Sequence, residues 1–239
     1  MFFSIITVLN MLLGNQPTLE DKIIKLSPGT SVEKATEIAD YVREFAPVAG
    51  LTADEDHNLI LAVMFKESGF RLPQSQGAAG EWGMMQVIPG DGHIKAIAKQ
   101  YKCSDKEQNA RSRLVTMPNG TQTYHKLCNG DVPNIFSNGH VWPWKLGILL
   151  KYSTRASIYI GINEMAFWRD EYDAKLKRLF WTDKRNIPVR AHWWWDEVKA
   201  GLGDRVWICH YNYGPRIATS PGALSYPLSL IKHINTMED

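Results

Sequence analysis

The amino-acid sequence predicts a mainly α-helical chain with one principal domain and a long loop-rich insertion. Apolar residues recur with helical spacing in several segments, and capping residues, glycine or proline bound these segments. Strong strand-type alternation is absent from the sequence throughout. Residues 103–143 are instead rich in Asn, Gly, Pro and Ser, which is typical of a long insertion or lid.

The first predicted helix follows Ser31 and ends near Pro47. Ser31 is a favourable N-cap residue, and the alanine-rich run from Thr36 to Phe45 has an amphipathic period. Proline cannot continue a helix without losing a hydrogen bond, so Pro47 indicates where this helix ends.

The second predicted helix covers about residues 53–68. Thr52 and Glu55 have the capping-box spacing of a hydroxyl followed three residues later by a carboxylate. Gly69 and Pro73 are stop signals just beyond the apolar run. The helix therefore ends close to Glu67, which falls in its last turn.

Glu67 is predicted to share a helix face with apolar residues. Leu59, Ile60, Val63 and Met64 precede it at offsets that return to the same side of an α-helix. An apolar environment disfavours the charged form of a carboxyl group and raises its pKa. Such a group retains a proton near neutral pH, so Glu67 is a candidate general acid.

The remainder of the chain alternates between loops and helical patterns. The segment from Gly77 to Gly92 contains five glycines and Pro89, which predicts a loop that approaches another part of the molecule closely. Within the next long pattern, Gly161 permits the close approach of another helix. Helices are predicted in 93–102, 146–180, 192–202, 206–213 and 224–234.

Composition and charge exclude several classes of function. The 239 residues are 44% hydrophobic, which is enough for one sizeable core. The formal charge is +2 and no long Lys/Arg run is present, so nucleic acid is not an expected partner.

The three cysteines fit no metal-ligand spacing, and we expect no metal and no other cofactor. Cys103 and Cys128 flank a polar segment and would be able to form a disulfide in an oxidising compartment, whereas Cys209 is expected to be a buried free thiol.

Residues 1–26 form a separate N-terminal segment, and residues 27–239 form the main domain with its insertion at about 103–143. Residues 1–14 are apolar but lack a basic region and are too short to span a bilayer. A weak export signal, a membrane-surface helix and a packing element are all compatible with them, and we favour a packing element. They are also a candidate region for docking to a membrane surface or another protein.

Three short motifs occur in a characteristic order. Glu67-Ser68 is followed by Gly83-Met84-Met85-Gln86, and then by His210-Tyr211-Asn212-Tyr213-Gly214 far downstream. Together they resemble the lytic transglycosylase family of the goose-type lysozyme superfamily, with its Glu-Ser, Gly-Leu-Met-Gln and Ala-Tyr-Asn-x-Gly motifs. Ile158-Tyr159-Ile160-Gly161 is similar to a further family motif whose asparagine is replaced. The resemblance covers roughly residues 52–92 and 153–234 and implies a lysozyme-like fold.

The resemblance implies that Glu67 is the catalytic acid of a peptidoglycan lytic transglycosylase. Such an enzyme cleaves the β-1,4 bond between N-acetylmuramic acid and N-acetylglucosamine and leaves 1,6-anhydro ends. Tyr211 is expected to place its hydroxyl on Glu67 or on a substrate N-acetyl group. The other expected substrate-binding residues are Ser75, Met85, Gln86, Asn212 and Tyr226, although core packing is the more common role for the methionines.

The sequence departs from the family pattern at two positions that matter for mechanism. His210 stands where the family has alanine, and a structural role is more common than a catalytic one for a single histidine. The enlarged loop Gly80-Glu81-Trp82 is similar to that of goose-type lysozymes, so Glu81 is a possible second carboxylate. With Glu81 holding a water, the chain would be an inverting hydrolase.

The resemblance also bears on the partner and the cellular location. Peptidoglycan glycan strands are the expected partner, in the periplasm or cell envelope or as part of a phage particle. A third hypothesis assigns the chain a docking role in an envelope or phage-particle complex, with the same fold.

Overall fold

The computed structural model describes residues 17–73, 77, 80–90, 114–116, 122–124, 136–137, 140–141, 143–171, 194–213 and 221–239. The described part is mainly helical, which confirms the predicted fold class. Its helices are α1 (Leu19–Leu26), α2 (Val32–Phe45), α3 (Asp54–Ser68), α4 (Pro143–Tyr152), α5 (Thr154–Glu171), α6 (Trp195–Leu202), a 3₁₀ helix (Gly203–Ile208), α7 (Cys209–Tyr213) and α8 (Pro221–Glu238). The apolar residues 1–14, the helix predicted in 93–102, and Cys103 and Cys128 lie outside the described residues.

The predicted start of α2 is confirmed, whereas that of α3 is wrong by one residue. The Ser31 side chain accepts a hydrogen bond from Lys34 N at 3.2 Å and caps α2. The N-cap of α3 is Ala53 instead of Thr52, because Asp56 accepts the hydrogen bond from Ala53 N at 3.2 Å. Asp56 is the third residue of α3, and its carboxylate gives the backbone N–H group of Ala53 a hydrogen-bond acceptor.

The long helix predicted from 146 to 180 consists of two helices in the described residues. α4 ends at Tyr152 and α5 begins at Thr154. Ser153 separates them, and its hydroxyl accepts a hydrogen bond from Ala156 N at 3.1 Å. A serine that caps a new helix competes with continuation of the preceding one, and apolar periodicity does not reveal this.

Two short antiparallel hairpins lie in the segment that the sequence predicts to be a loop-rich insertion. β1 (Leu114–Thr116) pairs with β2 (Gln122–Tyr124), with Leu114 opposite Tyr124. β3 (Phe136–Ser137) pairs with β4 (His140–Val141). Strands of two or three residues are too short to produce a recognisable alternation in the sequence.

Helix α3 is the central element of the hydrophobic core. Every residue from Asn58 to Met64 is buried, so the middle of α3 is covered on all sides. It packs against α8 and α1, while α2 packs against α1 and α5. A helix that is apolar all round is typical of a core position. No helix among the described residues is long and apolar enough to cross a membrane.

Candidate active site

Glu67 lies at the carboxyl end of the buried helix α3, as the sequence predicts. The helix ends at Ser68, and Gly69 caps it in a left-handed conformation with φ of 60° that glycine tolerates well. Ser68, which follows Glu67, is buried, and its hydroxyl donates to Met64 O at 3.1 Å. Ser68 therefore stabilises the last turn, and Glu67 is held between the core and a cavity.

The environment of Glu67 raises the pKa of its carboxyl group to about 7. Loss of hydration on burial is the largest cause, and the negative charge of Glu81 acts in the same direction. The nearby Tyr226 hydroxyl and the positive charge of Lys66 both lower this pKa and limit the rise. Glu67 therefore keeps its proton to a higher pH than an ordinary glutamate does.

The turn Gly83–Gln86 forms a second wall of the site. Gly83 and Gln86 both have positive φ, 81° and 48°, and backbone hydrogen bonds between Trp82 and Val87 close the turn. The Gln86 amide donates to Gly83 O at 2.8 Å, which holds its side chain against the turn. These contacts preorganise Gln86 at the edge of the cavity.

Helix α5 packs against the Gly83–Gln86 turn. The Ser157 hydroxyl accepts a hydrogen bond from Met84 N at 2.5 Å. A Cβ atom on Gly161 would lie 2.6 Å from Met85 Cβ, so only glycine allows this approach. A close approach is present at Gly161 as predicted, but the Gly83–Gln86 turn makes it and not another helix.

Two tyrosines from the carboxyl-terminal part of the chain lie near Glu67. The Tyr211 hydroxyl donates to Met85 O at 2.7 Å instead of to Glu67. Tyr226 is buried, and its phenol faces the Glu67 carboxyl. Burial and the charge of Glu67 raise the pKa of both phenols well above their usual range, so both remain protonated donors at neutral pH.

A cavity of about 190 Å³ joins these elements. Among the predicted site residues, Glu67, Glu81, Gln86, Tyr211 and Asn212 line it. Asn212 is exposed and Gln86 is partly buried, so both amide groups are accessible to a ligand. The cavity thus brings together residues that are far apart in the sequence.

Met85 has a core position, and the substrate-binding role expected for it stays a prediction. Its side chain is fully buried and packs against Gly161 of α5, so it fills the core. Only its carbonyl group serves the site, as the acceptor for Tyr211. Ser75 lies outside the described residues, and its expected role stays a prediction.

The two residues before Tyr211, His210 and Cys209, are buried and have structural positions. His210 is buried and stacks on Trp168 with ring centroids 5.7 Å apart, which is a packing contact. Cys209 is a buried free thiol, and burial raises its pKa to about 12, so it is unreactive at neutral pH. The prediction for Cys209 is confirmed.

Glu164 is a site residue that the sequence reasoning missed. It lines the same cavity as Glu67, and its carboxylate accepts a hydrogen bond from Trp168 Nε1 at 2.8 Å. The available signal was its position three residues after Gly161, on the helix face that approaches the Gly83–Gln86 turn. In the described part of the chain, no group of His, Cys, Asp and Glu residues has the arrangement of a metal site.

Comparison with protein families gives a match for the part of the chain that contains Glu67. Residues 47–115 match the family model described as "Transglycosylase SLT domain". This segment contains α3 with Glu67 and the Gly83–Gln86 turn, so the resemblance to the lytic transglycosylase family is confirmed at these residues. Comparisons with curated proteins and with solved structures gave no match.

Proposed function

We propose that this chain, whose residues 47–115 match the family model described as "Transglycosylase SLT domain", is a peptidoglycan lytic transglycosylase. At the family level, the match supports a transglycosylase-type function on peptidoglycan. The finer proposal is that the chain cleaves the MurNAc-GlcNAc β-1,4 bond and leaves 1,6-anhydro-MurNAc ends. The observation that carries it is Glu67, whose pKa is about 7 and which lines a cavity.

In the first step, the protonated Glu67 carboxyl gives its proton to the glycosidic oxygen, and the bond from this oxygen to C1 of MurNAc breaks. The N-acetylglucosamine part leaves with this proton as a new hydroxyl group. The N-acetyl group of the same MurNAc stabilises the positive charge that develops at C1. A pKa near the working pH favours this step because the acid is protonated and still gives up its proton readily.

In the second step, the Glu67 carboxylate removes the proton from the C6 hydroxyl of the same sugar. The C6 oxygen then forms a bond to C1, which closes the 1,6-anhydro ring and displaces the N-acetyl group. Glu67 regains its proton and the cycle is complete without water. One carboxyl group therefore suffices for both steps, in contrast to glycosidases that need two.

Other residues of the cavity have supporting roles in this proposal. The nearby Tyr226 hydroxyl favours the charged form of Glu67, which is the form needed in the second step. Gln86 and Asn212 offer amide groups for the N-acetyl and hydroxyl groups of the sugars. Tyr211 fixes the backbone of Met85 and so the shape of the cavity wall.

Digestion of purified peptidoglycan tests the proposal. We expect wild-type protein to release fragments with 1,6-anhydro-MurNAc ends, detected by mass spectrometry, and Glu67→Gln to lose at least about a hundredfold in rate, because no proton donor remains. Glu197→Gln is the matched control, since Glu197 is exposed on α6, away from the cavity. Unchanged lysis by Glu67→Gln would contradict the assignment.

Hydrolysis is a second candidate because three carboxyl groups line one cavity. Besides Glu67, both Glu81 and Glu164 lie in its wall, and either is a candidate to hold a water as general base. Digestion in water enriched in oxygen-18 distinguishes the two reactions. Reducing ends that carry the label would support hydrolysis, and unlabelled anhydro ends would support the transglycosylase.

The place of action and a docking role stay predictions. The family match is consistent with action in the cell envelope, whereas association with a phage particle rests on sequence interpretation alone. If Glu67→Gln still assembled with an envelope or phage complex after losing lysis, docking and lysis would be separable roles.

A further inference from the structure

A second and larger cavity, which we call the basic groove, lies on the other side of Glu67. It has a volume of about 920 Å³ and lies between residues 27–31 and the end of α3. Its lining includes Lys34, Lys66, Arg71 and Glu67. Glu67 is therefore shared by the basic groove and the smaller cavity described above.

The two cavities differ in the charge of their described lining residues. Three cationic side chains and one carboxyl group, that of Glu67, line the basic groove. In contrast, the charged residues that line the smaller cavity are Glu67, Glu81 and Glu164. A ligand that crosses Glu67 therefore meets positive charge on one side and negative charge on the other.

Lys66 and Arg71 carry the positive charge of the basic groove. Both side chains are exposed, and no carboxylate of the described residues forms an ion pair with either. Arg71 Nε donates to Ser68 O at 3.1 Å, which holds the guanidinium at the end of α3. Arginine has five N–H donors, so this bond leaves the group suited to bind a carboxylate in a bidentate manner.

The other end of the basic groove adds a weaker preference for anions. Ser31, the N-cap of the 14-residue helix α2, borders it, and the amino end of a helix has partial positive charge. Lys34 Nζ lies 2.7 Å from Glu37 Oε2, and this ion pair reduces the contribution of Lys34 to the positive charge of the basic groove. Lys66 and Arg71 are therefore the residues on which anion binding depends.

We infer that the basic groove binds the carboxylates of the peptide stems of peptidoglycan. The inference rests on the proposed function. The ring hydroxyl and N-acetyl groups of the glycan backbone carry no charge, whereas peptide stems attached to MurNAc bring several carboxylates. Positive charge beside the catalytic acid therefore matches the one part of this substrate that is anionic.

The charges of the two cavities determine where a peptide stem is favoured. A stem carboxylate is attracted to Lys66 and Arg71 in the basic groove and is repelled by the negative charge of the smaller cavity, which Glu81 and Glu164 line.

Equilibrium binding to two soluble glycan fragments tests the inference. One fragment retains its peptide stems. In the other, the stems are removed by amidase treatment and the lactyl carboxylates that this cut exposes are capped as methylamides, so no carboxylate remains. In a Glu67→Gln background, which prevents turnover, we expect tighter binding of the stem-bearing fragment. Adding Arg71→Gln should weaken its binding by about fivefold, as expected for an exposed charge pair, and should not affect the stem-free fragment. Higher salt should reduce the same preference.

Lys66→Gln provides a second variant with the same expected loss, and Lys199→Gln provides a charge-matched control. Lys199 is exposed on α6, outside both cavities, so its replacement should preserve the preference. Equal binding of both fragments by the parent, or a preference that survives both Arg71→Gln and Lys66→Gln, would overturn the inference. Because binding is measured without turnover, this result is separate from a failure of the cleavage test.

Discussion

Glu67 shows how position along a helix changes the chemistry of one residue. Glu33 lies in the exposed first turn of α2, where a backbone hydrogen bond is the largest cause that lowers its pKa. At the carboxyl end of α3, loss of hydration instead raises the pKa of Glu67 to about 7. The sequence predicted the direction of this shift from the apolar face. It did not reveal the opposing contributions of Tyr226 and Lys66, because they depend on which side chains meet after folding.

The first prediction concerns Tyr226→Phe. The Tyr226 hydroxyl stabilises the charged form of Glu67 and lowers its pKa, so its removal should raise that pKa. The alkaline limb of the kcat/KM profile, where the acid loses its proton, should move to higher pH, and kcat should fall several-fold because the second step needs the carboxylate. An unshifted limb in peptidoglycan digestion assays across pH 5 to 9 would contradict the contact.

The second prediction concerns Glu81→Gln. The charge of Glu81 raises the pKa of Glu67, so removal of that charge should lower it. The alkaline limb should therefore move to lower pH, opposite to the shift expected for Tyr226→Phe. Glu197→Gln, far from the cavity, should leave the profile in place. Loss of nearly all activity across the whole pH range would instead indicate that Glu81 is a catalytic base.

The Gly83–Gln86 turn and helix α5 illustrate what individual elements contribute. The sequence predicted a close approach at Gly161 and a glycine-rich turn, but it did not pair them. The structure shows that the turn lies on α5 through Met85 and Ser157. This packing explains why Met85 is a core residue and why Glu164, on the same helix, faces the site.

A third prediction, Gly161→Ala, tests this packing. The new Cβ atom would lie 2.6 Å from Met85 Cβ, so the turn or the helix has to move. Overpacking of this kind should lower the free energy of unfolding by about 1 to 3 kcal/mol and reduce activity by displacing Gln86. Denaturant unfolding measures the first effect. Gly90→Ala is the control, because nothing lies within 4 Å of its added Cβ atom, and equal stability of the two variants would disprove the contact.

At the scale of the whole molecule, catalysis and stability make opposite demands. The middle of helix α3 is buried on all sides, and its last turn carries Glu67. The carboxyl group of Glu67 must ionise during the proposed reaction. Because its pKa is raised, the folded state binds this proton more tightly than the unfolded state does. The contribution of Glu67 to stability is therefore most favourable at low pH and is lost as pH rises from about 4.5 to about 7.

The fourth prediction follows from this linkage. Glu67→Gln removes the ionisation, so the variant should be more stable than the wild type above pH 7, by up to about 3 kcal/mol, and similar to it near pH 4. Thermal unfolding at several pH values measures the difference, with Glu197→Gln as the control. A difference that does not change with pH would contradict the raised pKa.

Local sequence patterns determined the helical class, the position of Glu67 and the order of the three motifs. Caps, glycine stops and apolar periodicity act within a few residues, so they can be recognised without a three-dimensional structure. Tertiary structure alone decided that Tyr226 faces Glu67, that Tyr211 donates to Met85, and that Glu164 joins the cavity. It also decided that Lys66 and Arg71 form one groove with Ser31. These contacts depend on how helices pack, and packing is a property of the whole core rather than of any one segment.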